Sequence, residues 1–210
     1  MKERPILFSA PMVRALLAGT KTQTRRIVKP QDCIHGPTAS GGLFWIPEGM
    51  QGDPEPNCPT VLASSRCPYG QPGDRLWVKE TWKADQIWDG TRPLDIPEGE
   101  AILYTADEHA TRIVPFGWGR GRPSIFMRRW MSRITLDLTA VRVERLNEIS
   151  EEDAEAEGVV GCARQNSYPR GCEGLPQRAE YAILWESING AGSWDANPWV
   201  WVLSFRRVAA

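Results

Sequence analysis

The sequence predicts an α+β fold that is mainly β, a small mixed barrel of five or six strands with a few short helices around it. Three observations lead there. Short runs of alternating apolar and polar residues recur along the chain, as half-buried strands require. Helical periodicity comes in brief stretches, each bounded by a capping residue or a glycine. The strands are irregularly spaced, which disfavours the regular strand–helix alternation of a parallel βαβ sheet.

Ile6-Leu7-Phe8 opens as a short apolar strand. Ser9 then reads as an N-cap with Pro11 in the first helical turn, Met12, Ala15 and Leu16 at helical spacing, and Gly19 as the stop. Lys21 to Val28 follows as an extended polar segment rich in threonine. Residues 30–73 hold eight prolines and seven glycines with little periodicity, the composition of a long loop, partly anchored by Phe44-Trp45-Ile46. The turn Pro72-Gly73-Asp74 launches a strand from Arg75 to Trp82, whose alternation places Leu76, Val78, Glu80 and Trp82 on one face. Glu80 is thus an acid on an apolar face. Ala101–Thr105 is a further strand. Arg133–Leu146 is a long one whose apolar phase shifts between Leu138 and Val141, which predicts a bulge or bend.

Ser150 caps a helix of two turns closed by Gly158, with Asp153 completing a capping box and Ile149 and Ala154 as a staple. A second helix runs from about Gln177 to Ile188 with Tyr181, Leu184, Trp185 and Ile188 as its buried stripe. Trp199 to Val208 is the last strand. No internal repeat is present, and no GxGxxG, Walker A, HExxH or GxSxG pattern occurs.

With 41% hydrophobic and 24% charged residues in 210, the composition is that of an ordinary globular protein with one sizeable core. The N-terminal Met-Lys-Glu-Arg-Pro lacks a signal-peptide stretch and no apolar run reaches membrane-spanning length, so a cytoplasmic, non-membrane protein is expected. Five cysteines without a CxxC pair argue against a disulfide framework. Cys33, His35, Cys58 and Cys67 match no standard zinc spacing, and ordinary loop thiols are the favoured alternative. Ten tryptophans are expected to serve as core and loop anchors. The net charge of −1 argues against wholesale coating of nucleic acid but leaves room for a local basic face.

Three features carry chemistry. Lys21 and Thr24 cannot share a face of one ideal strand, so they act together only if Lys21 sits in the turn after Gly19. A threonine hydroxyl needs an adjacent base, and a buried lysine can serve as one. The competing expectation for such a string is a solvated polar strand. Glu157 lies in the last turn of the Ser150 helix, where the negative end of the dipole favours its protonated, proton-donating form; an exposed glutamate is the alternative. Residues 109–136 carry six arginines and no acid, interleaved with Trp118, Phe126 and Trp130. With Arg25, Arg26 and Lys29 they suit phosphate contacts and base stacking, unless they pair with acids elsewhere in the fold.

Leu17-Ala-Gly-Thr-Lys-Thr-Gln-Thr-Arg25 resembles the signature loop of the ASCH domain, a β-barrel related to the PUA RNA-binding fold. Gly73-Asp-Arg-Leu-Trp-Val78 resembles its second strand, and Asn147–Gly158 the helix after its central strands. The resemblance covers about half of the chain and extends to uncharacterised ASCH proteins of bacteria and phages. It implies one domain over residues 1–210, with insertions at about 30–72 and 83–130. Among ASCH proteins, the amidohydrolases of N4-acetylcytidine share a lysine, a threonine three residues on and a downstream glutamate. The resemblance therefore implies Lys21, Thr24 and Glu157 as catalytic residues. Arg25, Arg26, Glu80, Arg128 and Arg129 are expected to bind a modified nucleoside or RNA, with Glu80 as reserve acid. No metal or cofactor is needed. A non-catalytic RNA-binding module and an RNA-cleaving ASCH enzyme are the alternatives.

Overall fold

The computed structural model describes residues 1–29, 67–107, 117–159 and 175–208, together with the backbone of 34–37 and 43–45. Strand β1 (Glu3–Leu7) leads through Ser9 into α1 (Ala10–Ala18), which ends at Gly19 in the left-handed conformation. Strand β2 (Gln23–Ile27) follows after Lys21 and Thr22. Within the expected long loop, β3 (Ile34–Pro37) and β4 (Leu43–Trp45) pair as an antiparallel hairpin. The loop expectation is corrected there; Ile46, Cys33, Cys58 and the His35 side chain lie outside the described residues.

Strand β5 (Arg75–Lys79) is shorter than expected. The chain breaks after Lys79, and β6 (Trp82–Lys83) pairs instead with β7 (Leu103–Tyr104). The alternation still governs burial across the break, since Leu76, Val78, Glu80 and Trp82 are all buried. Strand β8 (Thr135–Arg145) shifts register between Leu138 and Ala140, which is the bulge that the phase slip in its apolar pattern predicts. Helix α2 (Glu151–Ala156) is capped by Ser150 Oγ, which accepts from Asp153 N–H at 3.1 Å. Helix α3 (Gln177–Asn189) buries Tyr181 and Trp185 but leaves Ile188 55% exposed. Strand β9 (Trp199–Arg207) closes the described fold.

Five strands form the main sheet in the order β1-β5-β8-β9-β2. The β1–β5 pair is parallel and the others are antiparallel. Helix and strand are present in about equal amounts, and no closed barrel is formed among the described residues. The two edge strands nevertheless approach each other, because Arg26 of β2 donates to Leu7 C=O of β1 at 2.6 Å. One core lies on one face of the sheet, where Ile6, Leu76, Leu136, Leu203 and Phe205 meet Val13 and Leu16 of α1. A second joins Val200 and Val202 on the other face of β9 to Ala154, Tyr181 and Trp185. Strand β9 is therefore buried on both faces. A third cluster, around Trp82, Ile96, Met127 and Met131, spans the second expected insertion and the residues that flank it. No helix of the described residues is long and apolar enough to cross a membrane.

Candidate active site

Three elements meet at the end of α1. Gly19 (φ +78°) stops the helix, and the next two N–H groups, of Thr20 and Lys21, both turn back to Ala15 C=O at 3.0 and 3.2 Å. Lys21 thus sits in a turn and Thr24 on β2, the arrangement their joint action requires. Thr22 N–H then donates to Ala156 C=O at 2.8 Å, which stitches the turn to the C-terminus of α2.

The string is not a solvated strand. Lys21, Gln23, Thr24 and Arg25 are all buried, with Lys21 and Arg25 at 2% and 3% exposure. Lys21 Nζ donates to Glu157 Oε2 at 2.8 Å and to Glu157 C=O at 2.7 Å. The sequence places an acid, against the usual preference, at the negative end of α2. The fold supplies the missing cation from another element, and Lys21 caps that helix end. Gly158 (φ +80°) allows the approach: a Cβ there would lie 2.9 Å from Lys21 Cβ and 3.0 Å from Ala15 Cβ.

Arg25 extends the cluster. Its five N–H groups are all committed, to Glu144, Asp153, Glu157 and Gln23. Arg142 bridges Glu144 and Asp153 from the outside. Lys21, Arg25 and Arg142 thereby face Glu144, Asp153 and Glu157, a balanced set of three cations and three acids. Asp153 does not complete the capping box, because its carboxylate turns to Arg25 and Arg142 instead. Tyr181 OH donates to Glu157 Oε1 at 3.4 Å. Burial holds that phenol well above its usual range, and the Glu157 carboxylate adds to the effect, so it remains a donor. Burial also pushes the Lys21 ammonium below its ordinary 10.5, with Glu157 opposing the shift.

A cavity of about 50 Å³ opens here, between α1 and α3 at the free edge of β2. Thr24, Arg26, Glu157, Tyr181, Trp185 and Asn189 are among its lining residues. Lys21 does not line it and reaches it through Glu157. Arg26 donates to Leu7 C=O and lies over the Phe8 ring, while its Nε is buried without a partner among the described residues. A wider hollow of about 420 Å³ lies on the other side of the turn, bordered by Gly19, Thr20, Thr22, Glu152 and Glu155; it holds none of Lys21, Thr24 or Glu157.

The remaining expected site residues lie apart from this cluster. Glu80 is buried on the inner face as its alternation implies, and Arg133 binds it bidentately at 3.0 Å from both Nε and Nη2. Arg133 also binds Asp107 and lies over the Tyr104 ring. Burial raises the Glu80 carboxyl above its ordinary value, against the pull of Arg133. Arg128 and Arg129 are exposed, and Arg129 pairs with Glu3 at 2.9 Å. Cys67 is a buried free thiol, and no group of three His, Cys, Asp or Glu side chains among the described residues is placed to hold a metal.

Sequence reasoning did not single out Glu144 or Tyr181 for the site. Tyr181 reads as core because it shares a helical stripe with Trp185, and that stripe is also the cavity wall. Glu144 could have been found from its place two residues after Arg142 on an alternating strand, where both point the same way. No family model, curated protein or solved structure matches this chain.

Proposed function

We propose that this chain is an ASCH-like amidohydrolase that removes a small acyl group from a modified nucleoside such as N4-acetylcytidine, with Lys21, Thr24 and Glu157 as its catalytic residues. The observation that carries this reading is the buried Lys21–Glu157 pair at 2.8 Å beside a cavity that Thr24 and Glu157 both line. Moving one proton across that hydrogen bond converts ammonium and carboxylate into an amine and a carboxylic acid. These are the base and the acid that an acyl transfer needs. Burial that disfavours the Lys21 ammonium supports the base role.

In the proposed reaction the Lys21 amine takes the Thr24 hydroxyl proton as the oxygen bonds the acyl carbon. The C–N bond then breaks as Glu157 protonates the departing amine, and water releases the acid from acyl-threonine. Arg25, with every donor committed, orders the carboxylates rather than gripping substrate through its side chain. Arg26, with donor capacity left at the cavity, is the cation that meets substrate. The approach of the two edge strands through Arg26 and Leu7 supports kinship with small PUA-like barrels.

The test is acetate release from N4-acetylcytidine by purified protein. Thr24→Ala and Lys21→Ala, checked for retained circular dichroism, are expected to lose about 100-fold or more. No release, or release undiminished in both variants, overturns the reading.

A second reading, an RNA-binding surface, has its own observation. Phe126 is 56% exposed beside exposed Ile125, and Arg128 forms no ion pair with any described residue. It predicts salt-dependent RNA binding that weakens in Arg128→Ala/Arg129→Ala without any turnover. RNA left intact after incubation disposes of the RNA-cleaving alternative.

A further inference from the structure

Among the described residues β2 is the last strand of the sheet, so one of its two edges is paired by none of them. Which groups point outward follows from the ladder. Phe205 N–H donates to Thr22 C=O and Val28 N–H donates to Trp199 C=O. Thr24 stands opposite Leu203 and Arg26 opposite Trp201. In an antiparallel pair, successive residues alternate in the side to which their N–H and C=O point. The even-numbered residues of β2 are therefore bonded to β9, and the N–H and C=O of Arg25 point away from the sheet. Arg25, though buried, lines the cavity at that edge. A main-chain donor and acceptor thus face a hollow that the described residues leave open.

We propose that the main chain of Arg25 reads an aminopyrimidine edge, with its N–H donating to the ring nitrogen and its C=O accepting from the adjacent exocyclic N–H. The proposal rests on the nucleoside reading above and narrows its substrate class to cytosine-type bases, acylated or not. An extended residue presents its N–H and C=O on one side, which matches a ligand whose acceptor and donor are neighbours on one side. Seated in the same pose, with its ring nitrogen on the Arg25 N–H, a uracil edge sets donor against donor and acceptor against acceptor. The cavity of about 50 Å³ has room for about three to five water-sized groups at roughly 10–15 Å³ each, enough for such an edge with the rest of the ring outside. A strand of peptide, the other occupant that a free edge takes, needs more length than this. The commitment of all five side-chain donors of Arg25 then acquires a purpose: it holds the reading backbone still.

The experiment is an amide-resolved NMR titration of the full chain with cytidine, uridine and a glycine tripeptide. Cytidine is expected to shift the Arg25 N–H resonance downfield, saturably, and to slow its exchange with solvent, with uridine about tenfold weaker or worse. An Arg25 N–H unmoved by cytidine, moved equally by uridine, or moved by the tripeptide in preference overturns the proposal. Hydrolysis is read separately on N4-acetylcytidine. Turnover with an unmoved Arg25 amide sinks this inference alone, whereas a cytidine-selective shift without turnover sinks only the hydrolase reading.

Discussion

Lys21 shows how a single residue reconciles a helix end with a buried acid. Its ammonium caps α2 and pairs with Glu157, and both lie out of water. Removing one partner of such a pair leaves the other charge uncompensated. Lys21→Met is therefore expected to cost about 3–5 kcal/mol in urea unfolding, and Lys21→Met/Glu157→Gln less than that. The pH dependence has a definite sign. Burial lowers the folded pKa of Lys21 below its ordinary 10.5, so its contribution to stability is full above 10.5 and is lost as pH falls through the folded value. In the proposed reaction the same titration makes hydrolysis climb with pH from below 10.5; a rate that is flat up to that point speaks against Lys21 as base. Arg133 and Glu80 give a parallel case away from the site. Arg133→Met should cost about 3–5 kcal/mol near neutral pH. Since Glu80 titrates above its ordinary 4.5, the penalty should shrink as pH falls and the carboxyl becomes neutral, which denaturant melts at two pH values will show.

At the level of elements, the site depends on the fit between the α1–β2 turn and the end of α2. Gly158 lets them touch. Gly158→Ala combines a positive φ with a 2.9 Å contact to Lys21 Cβ, and is expected to cost about 1–3 kcal/mol, seen as a lowered melting temperature and, in the proposed enzyme, as lost activity. The stop of α1 at Gly19, the Ser150 cap of α2 and its stop at Gly158 were legible in the sequence, because they act through local backbone geometry; Ser9 stands at the start of α1 but its side chain makes no capping bond. The break of the strand after Lys79 was not. Its alternation continues unbroken through Trp82, and only pairing with β7 turns Trp82 and Lys83 away from the sheet. Ile188 likewise keeps the helical stripe in sequence but lines the cavity and stays 55% exposed among the described residues.

Across the whole molecule, three clusters share the burial. Two flank β9, and the third, around Trp82, Met127 and Met131, lies in the region of the second expected insertion. Trp82→Ala is expected to cost about 3–5 kcal/mol. Hydrogen exchange should show protection lost first in residues 82–107 and 117–131, while β8 and β9 keep theirs; uniform loss along the chain would contradict a separable cluster.

The sequence by itself determined the strands and helices whose periodicity is strong, the Gly19, Ser150 and Gly158 ends of the two helices, the bulge in β8, and the turn that holds Lys21 before the strand that holds Thr24. These follow from forces acting over a few residues. Only the tertiary structure decided that Glu157 meets Lys21 across 136 positions, that Arg25 spends its donors on three acids, and that β2 ends the sheet beside a cavity. The physical reason is that compensation of buried charge and the pairing of strand edges are long-range conditions, which many arrangements of the same local elements would leave unmet.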